Sequence, residues 1–193
     1  MRRMFMFRLP NAFTICRCVL SLLVGYTIIV APPAGAAPAM MFMPLLLFVG
    51  LAATDAVDGY LARKLDAVSE LGALLDPIAD KLLIAISLLC ICYIQDWPAL
   101  LTVSAGLIIL RDSIITYLRF RPGRSLPVSQ LAKAKTALEM VGVSGLLLVF
   151  VLARIGVTDG WSFVAMGFQL AVAAAAILSV WTCVQYLRIR FSG

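Results

Sequence analysis

The chain has 193 residues, 63% of them hydrophobic and 13% charged, with a mean hydropathy of +1.02 and a formal net charge of +6. Soluble domains are usually about 45–50% apolar, so the composition argues against a water-soluble bundle and for a surface that faces lipid. There is no histidine, which removes the commonest general base and any Ser-His-Asp triad.

Residues 1–10, opening MRRMFMFR, read as a short basic, amphipathic juxtamembrane helix on the inner leaflet. The apolar sequence after it runs on toward a second span with no clear cleavage site, unlike a signal peptide. No charge occurs from Cys18 to Thr54. That stretch has room for two spans of about 20 residues, near 12–30 and 39–59, with Pro32, Pro33, Gly35 and Pro38 marking the turn between them. Three further spans are expected near 73–95, 97–119 and 134–153, each interrupted by ionisable groups, and a sixth near 161–187, within the uncharged run Gly160–Leu187. The expected fold is all-α: one domain over 1–193, an integral membrane bundle of six transmembrane helices. Cys16, Cys18, Cys90, Cys92 and Cys183 lie in apolar context and suit neither a metal site nor a disulfide framework.

Lysine and arginine orient the bundle. Arg2, Arg3 and Arg8 precede the first span, Arg63 and Lys64 join the second to the third, Arg121 and Arg124 follow the fourth, and Arg188 and Arg190 end the chain. The connections on the other side, 31–38, 95–96 and 154–160, hold a single basic residue, Arg154. Both termini are therefore expected in the cytoplasm, in a multi-pass protein of the inner cell membrane. The positive charge suits an anionic bilayer surface; no nucleic-acid partner is expected.

With that topology the intramembrane charges gather at one depth. Asp55 and Asp58 fall near the inner end of span two, Asp76, Asp80 and Lys81 at the inner start of span three, Arg111, Asp112 and Arg119 toward the inner end of span four, and Lys133, Lys135 and Glu139 in the first turns of span five, with Arg17 early in span one. A charge at the centre of a membrane helix costs about 2.5–3.5 kcal/mol on insertion scales, so the pattern points to one polar cavity open to the cytoplasm. Snorkelling to the interface accounts for Arg119 or Lys133 but poorly for four aspartates.

Asp55 and Asp58 are spaced to share one helical face, as are Asp76 and Asp80. Four converging carboxylates repel one another unless cations sit among them. Oxygen-only donors favour a hard divalent ion such as magnesium or manganese, and a pair of such ions recurs in phosphoryl chemistry. Gly59, Ala62 and Gly72 leave space for a ligand against the backbone, and Arg63 suits a phosphate.

The run Asp55-x-x-Asp58-Gly59-x-x-Ala62-Arg63-(eight)-Gly72-x-x-x-Asp76-x-x-x-Asp80 resembles the signature of the CDP-alcohol phosphotransferases at every position. The resemblance implies six transmembrane helices, a homodimer and dependence on divalent metal. It also implies that Asp55, Asp58 and Asp76 hold metal with Asp80 close by, that Asp80 is the general base, and that Asp55, Gly59, Ala62, Arg63 and Gly72 line a CDP pocket.

Three other stretches are similar to the phosphatidylglycerophosphate synthases of this family: Leu9-Pro10-Asn11-x-x-Thr14-x-x-Arg17, Arg111-Asp112-x-x-x-Thr116-x-x-Arg119, and Gln130-Leu131-Ala132-Lys133-x-Lys135-Thr136. The second more often has Glu at its second position, and in the third Ala132 replaces a glycine. The resemblance implies transfer from CDP-diacylglycerol to glycerol 3-phosphate. The acceptor's phosphate needs cations outside the metal site, and Arg111, Arg119, Lys133 and Lys135, with Thr14 and Arg17 of the first span, are the candidates. Glu139, one turn beyond Lys135, is placed to pair with that lysine. Alternatives within the class are a CDP-dependent cardiolipin synthase using phosphatidylglycerol and an enzyme taking an inositol phosphate. From other classes come a divalent-cation transporter and an intramembrane aspartyl protease. The outer halves of the spans carry no charge to complete an ion path, and a protease needs two carboxylates, not four.

Overall fold

The computed structural model describes residues 8–30, 32, 37–64, 70–120, 130–157 and 160–191, with the backbone alone at 8–15, 38, 55–64, 70–77, 80, 119–120, 132 and 189–191. Among these residues all regular structure is helical: α1 (Arg8–Ile29), α2 (Pro38–Met41), α3 (Met43–Lys64), α4 (Glu70–Ile94), α5 (Ala99–Phe120), α6 (Gln130–Arg154) and α7 (Trp161–Phe191). Residues 1–7, most of the expected juxtamembrane helix, lie outside the described residues.

Each expected span falls on helix, but the helices run on at their charged ends. α1 begins at Arg8, α3 continues to Lys64, α4 begins at Glu70, α6 at Gln130, and α7 continues to Phe191. Hydropathy marks only the part of a helix suited to hydrocarbon, whereas the hydrogen-bond ladder propagates until a breaker stops it. The second span departs from a single rod: a turn at Phe42 separates α2 from α3. Pro44 lies there in the first turn of α3, where its missing N–H is tolerated but the ladder cannot continue back into α2.

Three described stretches are long and apolar enough to cross a membrane, Ala99–Leu118, Lys133–Arg154 and Trp161–Arg188; Cys16–Ile29, Met43–Thr54 and Lys81–Ile94 are shorter apolar stretches. These helices mark a membrane protein. On α7 the distinction between core and periphery is plain. Val172, Ala175, Ala176, Ser179, Thr182, Cys183 and Tyr186 form a buried stripe, while Phe163, Leu170, Ile177, Trp181 and Val184 stay exposed. A helix that is apolar on its outer face as well suits a lipid surround.

The helices close into a ring. α1 packs on α3, α3 on α6, α6 on α7, α7 on α5, α5 on α4 and α4 back on α1, with α4 also reaching α6 across the interior. Two seams are tight because a glycine removes a side chain. A Cβ on Gly25 of α1 would lie 2.6 Å from Ile86 Cγ2 on α4, and one on Gly142 of α6 would lie 2.6 Å from Val172 Cγ2 on α7. The core clusters Val24, Ile28, Phe48, Leu88, Ile91, Leu101, Ile108, Leu146 and Leu147 with their neighbours.

The short connections are stopped by local geometry. After α4, Trp97 N–H donates to Cys92 O at 2.8 Å and Asp96 N–H to Tyr93 O at 3.3 Å, with Asp96 and Trp97 at φ of 56°. After α6, Val157 N–H donates to Leu152 O and Gly156 N–H to Ala153 O, with Gly156 at φ 87°. Both are helix-ending Schellman motifs. Arg154 Nη1 donates to Pro32 O at 2.6 Å, which ties the end of α6 to the segment after α1.

Candidate active site

The signature residues occupy two touching helices. Asp55, Asp58, Gly59, Ala62 and Arg63 lie in the last turns of α3; Gly72, Asp76 and Asp80 lie in the first turns of α4. Both aspartate pairs sit within continuous helix, so each spacing is realised as one helical face. The side chains of these residues, and those of Thr14 and Arg119, lie outside the described residues. Among the described residues no three metal-ligating side chains converge.

The described part of the expected basic cluster is a buried polar network. Asp112 sits on the inward stripe of α5 with Leu101, Ala105, Ile108 and Ile115, and is 9% exposed. Its Oδ1 accepts hydrogen bonds from Lys135 Nζ of α6 at 2.6 Å and from Arg111 Nη1 at 2.8 Å. Arg111 Nη2 also donates to Thr182 Oγ1 of α7 at 3.0 Å, and its guanidinium lies 5.7 Å from the Tyr186 ring centroid. Lys135 Nζ is a further 3.1 Å from Glu139 Oε1. From α4, Lys81 Nζ donates to Asp112 O at 3.0 Å and to Thr116 Oγ1, which itself donates to Asp112 O at 2.7 Å. Four helices are thus tied at one level. Each ion pair is in a setting where losing one partner is far costlier than at a surface.

Of the expected acceptor-site residues, the structure brings Arg111 and Lys135 together and leaves Lys133 exposed. Arg17 is buried on α1, on the side of the ring formed with α3 and α4. Beside the network, α4 and α5 border an open groove of about 410 Å³. Lys81, Asp112, Ser113, Thr116 and Tyr117 line one end, and Ile84, Ala85, Ile108 and Ile109 line the other.

Comparison with known proteins decides the family. The sequence profile of the CDP-alcohol phosphatidyltransferases matches residues 7–183. The chain belongs to the CDP-alcohol phosphatidyltransferase family. Among curated members of that family it is similar to the CDP-diacylglycerol–glycerol-3-phosphate 3-phosphatidyltransferases of three bacteria. Identity is 38% over 151 residues with that of Pseudomonas fluorescens, covering 74% of this chain and 71% of the relative. It is 32% over 190 residues with that of Escherichia coli K12, covering 94% and 93%, and 34% over 155 residues with that of Bacillus subtilis 168, covering 74% and 78%.

In this CDP-alcohol phosphatidyltransferase several network members were not legible as site residues from sequence. Asp112 stood out in the sequence as a charge at the common depth and as the second position of the Arg111-to-Arg119 stretch, but not as an expected site residue. Thr182 and Tyr186 had none, because their partner Arg111 is 71 residues from Thr182. Lys81 stood out as one of the charges at the common depth; its reach across to α5 is a property of helix packing.

Proposed function

We propose that this CDP-alcohol phosphatidyltransferase moves the phosphatidyl group of CDP-diacylglycerol onto sn-glycerol 3-phosphate, giving phosphatidylglycerophosphate and CMP. The observation that carries the reading is similarity along 94% of the chain to a relative whose name states that transfer. The unbroken run from Asp55 to Asp80 supports the donor chemistry.

The donor set of the signature is four carboxylates and nothing softer, which fits a hard divalent cation. Asp55, Asp58, Asp76 and Asp80 hold magnesium or manganese in this reading, two ions in all. Such ions neutralise the charge of a pyrophosphate. Asp55, Gly59, Ala62, Arg63 and Gly72 line the CDP pocket. Arg111, Arg119, Lys133 and Lys135, with Thr14 and Arg17, receive the acceptor's phosphate. Asp80 accepts the proton of the acceptor's free primary hydroxyl. The freed oxygen bonds to the phosphorus that bears the diacylglycerol. The bond from that phosphorus to the bridging oxygen breaks, and CMP leaves with its electron pair.

The same reading sets the protein in the inner cell membrane as six spans, α1, α2 with α3, and α4 to α7, with both termini and the site facing the cytoplasm. The distribution of basic residues supports this. A homodimer completes it.

A phosphatidylglycerol acceptor is the second reading. One observation favours it: Arg111 and Lys135 are both paired with Asp112, which lowers the positive charge left for a phosphomonoester. An acceptor panel decides between them. Purified protein with CDP-diacylglycerol and magnesium or manganese is scored for CMP with glycerol 3-phosphate, phosphatidylglycerol, inositol phosphate or serine. Release with glycerol 3-phosphate alone is expected; release with phosphatidylglycerol alone overturns the reading.

A further inference from the structure

Arg111, Asp112, Lys135 and Glu139 are 8%, 9%, 2% and 1% exposed. Two cations face two carboxylates, so the formal charge of the quartet is zero. A phosphate drawn toward Arg111 and Lys135 therefore meets two cations already matched by carboxylates, with Lys81 of α4 as the third cation of the network.

The two carboxylates are held unequally. Asp112 Oδ1 takes hydrogen bonds from both cations. Glu139 Oε1 is 3.1 Å from Lys135 Nζ, yet it receives no hydrogen bond from any described residue. At 3.1 Å its contact with the ammonium is longer than the 2.6 Å contact of Asp112, and so the weaker of the two. Asp112 Oδ1 is shared by two cations, whereas the described ion pairs give Glu139 Lys135 alone, so Glu139 is the looser partner. Lys135 is too deeply buried to add a third anion while keeping both of these. An incoming phosphate gains the ammonium only by exchange, and the exchangeable position is the one Glu139 fills.

We propose that Glu139 is a specificity-determining residue that acts through Lys135: it competes with the acceptor's phosphate for the ammonium and so holds down the affinity for phosphorylated acceptors. The inference rests on the glycerol 3-phosphate reading. Glu139 neutralises the buried cluster while the acceptor is absent, since an ammonium left unpaired in a low-dielectric interior is unfavourable. Asp112 keeps both cations in place throughout. Glu139 itself touches no reacting atom; its effect is on acceptor binding.

Glu139→Gln preserves the shape of the side chain and removes its charge, leaving the quartet at a formal charge of plus one. Steady-state CMP release, with each substrate varied in turn, reads the consequence. The apparent KM for glycerol 3-phosphate is expected to fall about tenfold, while that for CDP-diacylglycerol moves less than about twofold. In a Lys135→Gln background the same substitution produces no such fall, because the route through the ammonium is gone. Glu139→Asp, which draws the carboxylate back while keeping its charge, carries the test if the glutamine variant does not fold, with a smaller fall of about threefold. A folded variant whose KM for glycerol 3-phosphate is unchanged or raised overturns the inference and leaves the acceptor reading standing. Equal shifts in both KM values overturn it also. Wild-type protein that releases no CMP with glycerol 3-phosphate overturns the acceptor reading, and this inference with it.

Discussion

Lys135 and Asp112, 23 positions apart, form a buried ion pair at 2.6 Å that ties α6 to α5. The same Asp112 oxygen also holds Arg111 at 2.8 Å. A single carboxylate oxygen therefore fixes two of the cations expected to receive the acceptor.

Removing that carboxylate leaves two buried cations with Glu139 alone between them. Asp112→Ala is expected to cost about 3 kcal/mol of stability, read as a lowered thermal midpoint of the detergent-purified protein. Ser113→Ala on the neighbouring exposed position, where the hydroxyl only donates back to Ile109 O, is expected to change the midpoint little.

Lys133 and Lys135 are two residues apart but differ in role. Lys133 is exposed, whereas Lys135 is buried in two ion pairs. Lys133→Ala is expected to raise the KM for glycerol 3-phosphate a few-fold with no change in thermal midpoint. Lys135→Ala is expected to raise that KM more than the KM for CDP-diacylglycerol and to lower the midpoint as well, by about 3 kcal/mol of stability. Kinetics and melting on the same preparations separate the two.

Gly145 faces the ring of Phe168 across the α6–α7 seam so closely that a Cβ there would overlap it. Gly145→Ala is expected to destabilise by about 1–3 kcal/mol, partly recovered by Phe168→Leu in the same chain. Gly167→Ala, which meets open space, is expected to be neutral. Thermal melting of the four proteins in one detergent checks the set.

Asp80→Asn is expected to reduce CMP release at least about a hundredfold while binding of the CDP-lipid stays measurable. Near-normal turnover would remove the base assignment. Stripping divalent ions with a chelator is expected to abolish CMP release from the wild type, with recovery on adding magnesium or manganese. Activity that survives chelation would count against a metal held by Asp55, Asp58, Asp76 and Asp80.

The helices and the signature were legible in the sequence for the same reason: both are local. Hydropathy over about 20 residues located the long helices, because an apolar run of that length propagates as helix wherever no breaker stops it. Asp55 to Asp80 could be read as one constellation because its members lie on two consecutive helices with helical spacing. The helix ends were less legible. Arg8, Lys64 and Glu70 extend helices past the apolar runs, since backbone hydrogen bonding does not stop where hydrophobicity does. The break at Phe42 needed the effect of Pro44 on the ladder. Only the tertiary structure decided how the expected basic cluster is composed. Sequence supplied Arg111 and Lys135 as cations at one depth and Glu139 as a local partner of Lys135; packing made Lys135 a partner of Asp112, 23 residues away, and Arg111 a partner of Thr182, 71 residues away. Such pairings depend on the order of helices around the ring, in which α5 meets α7 and α7 meets α6. No periodicity within a single helix carries that order, because it is set by which faces bury best against one another once all the helices are together.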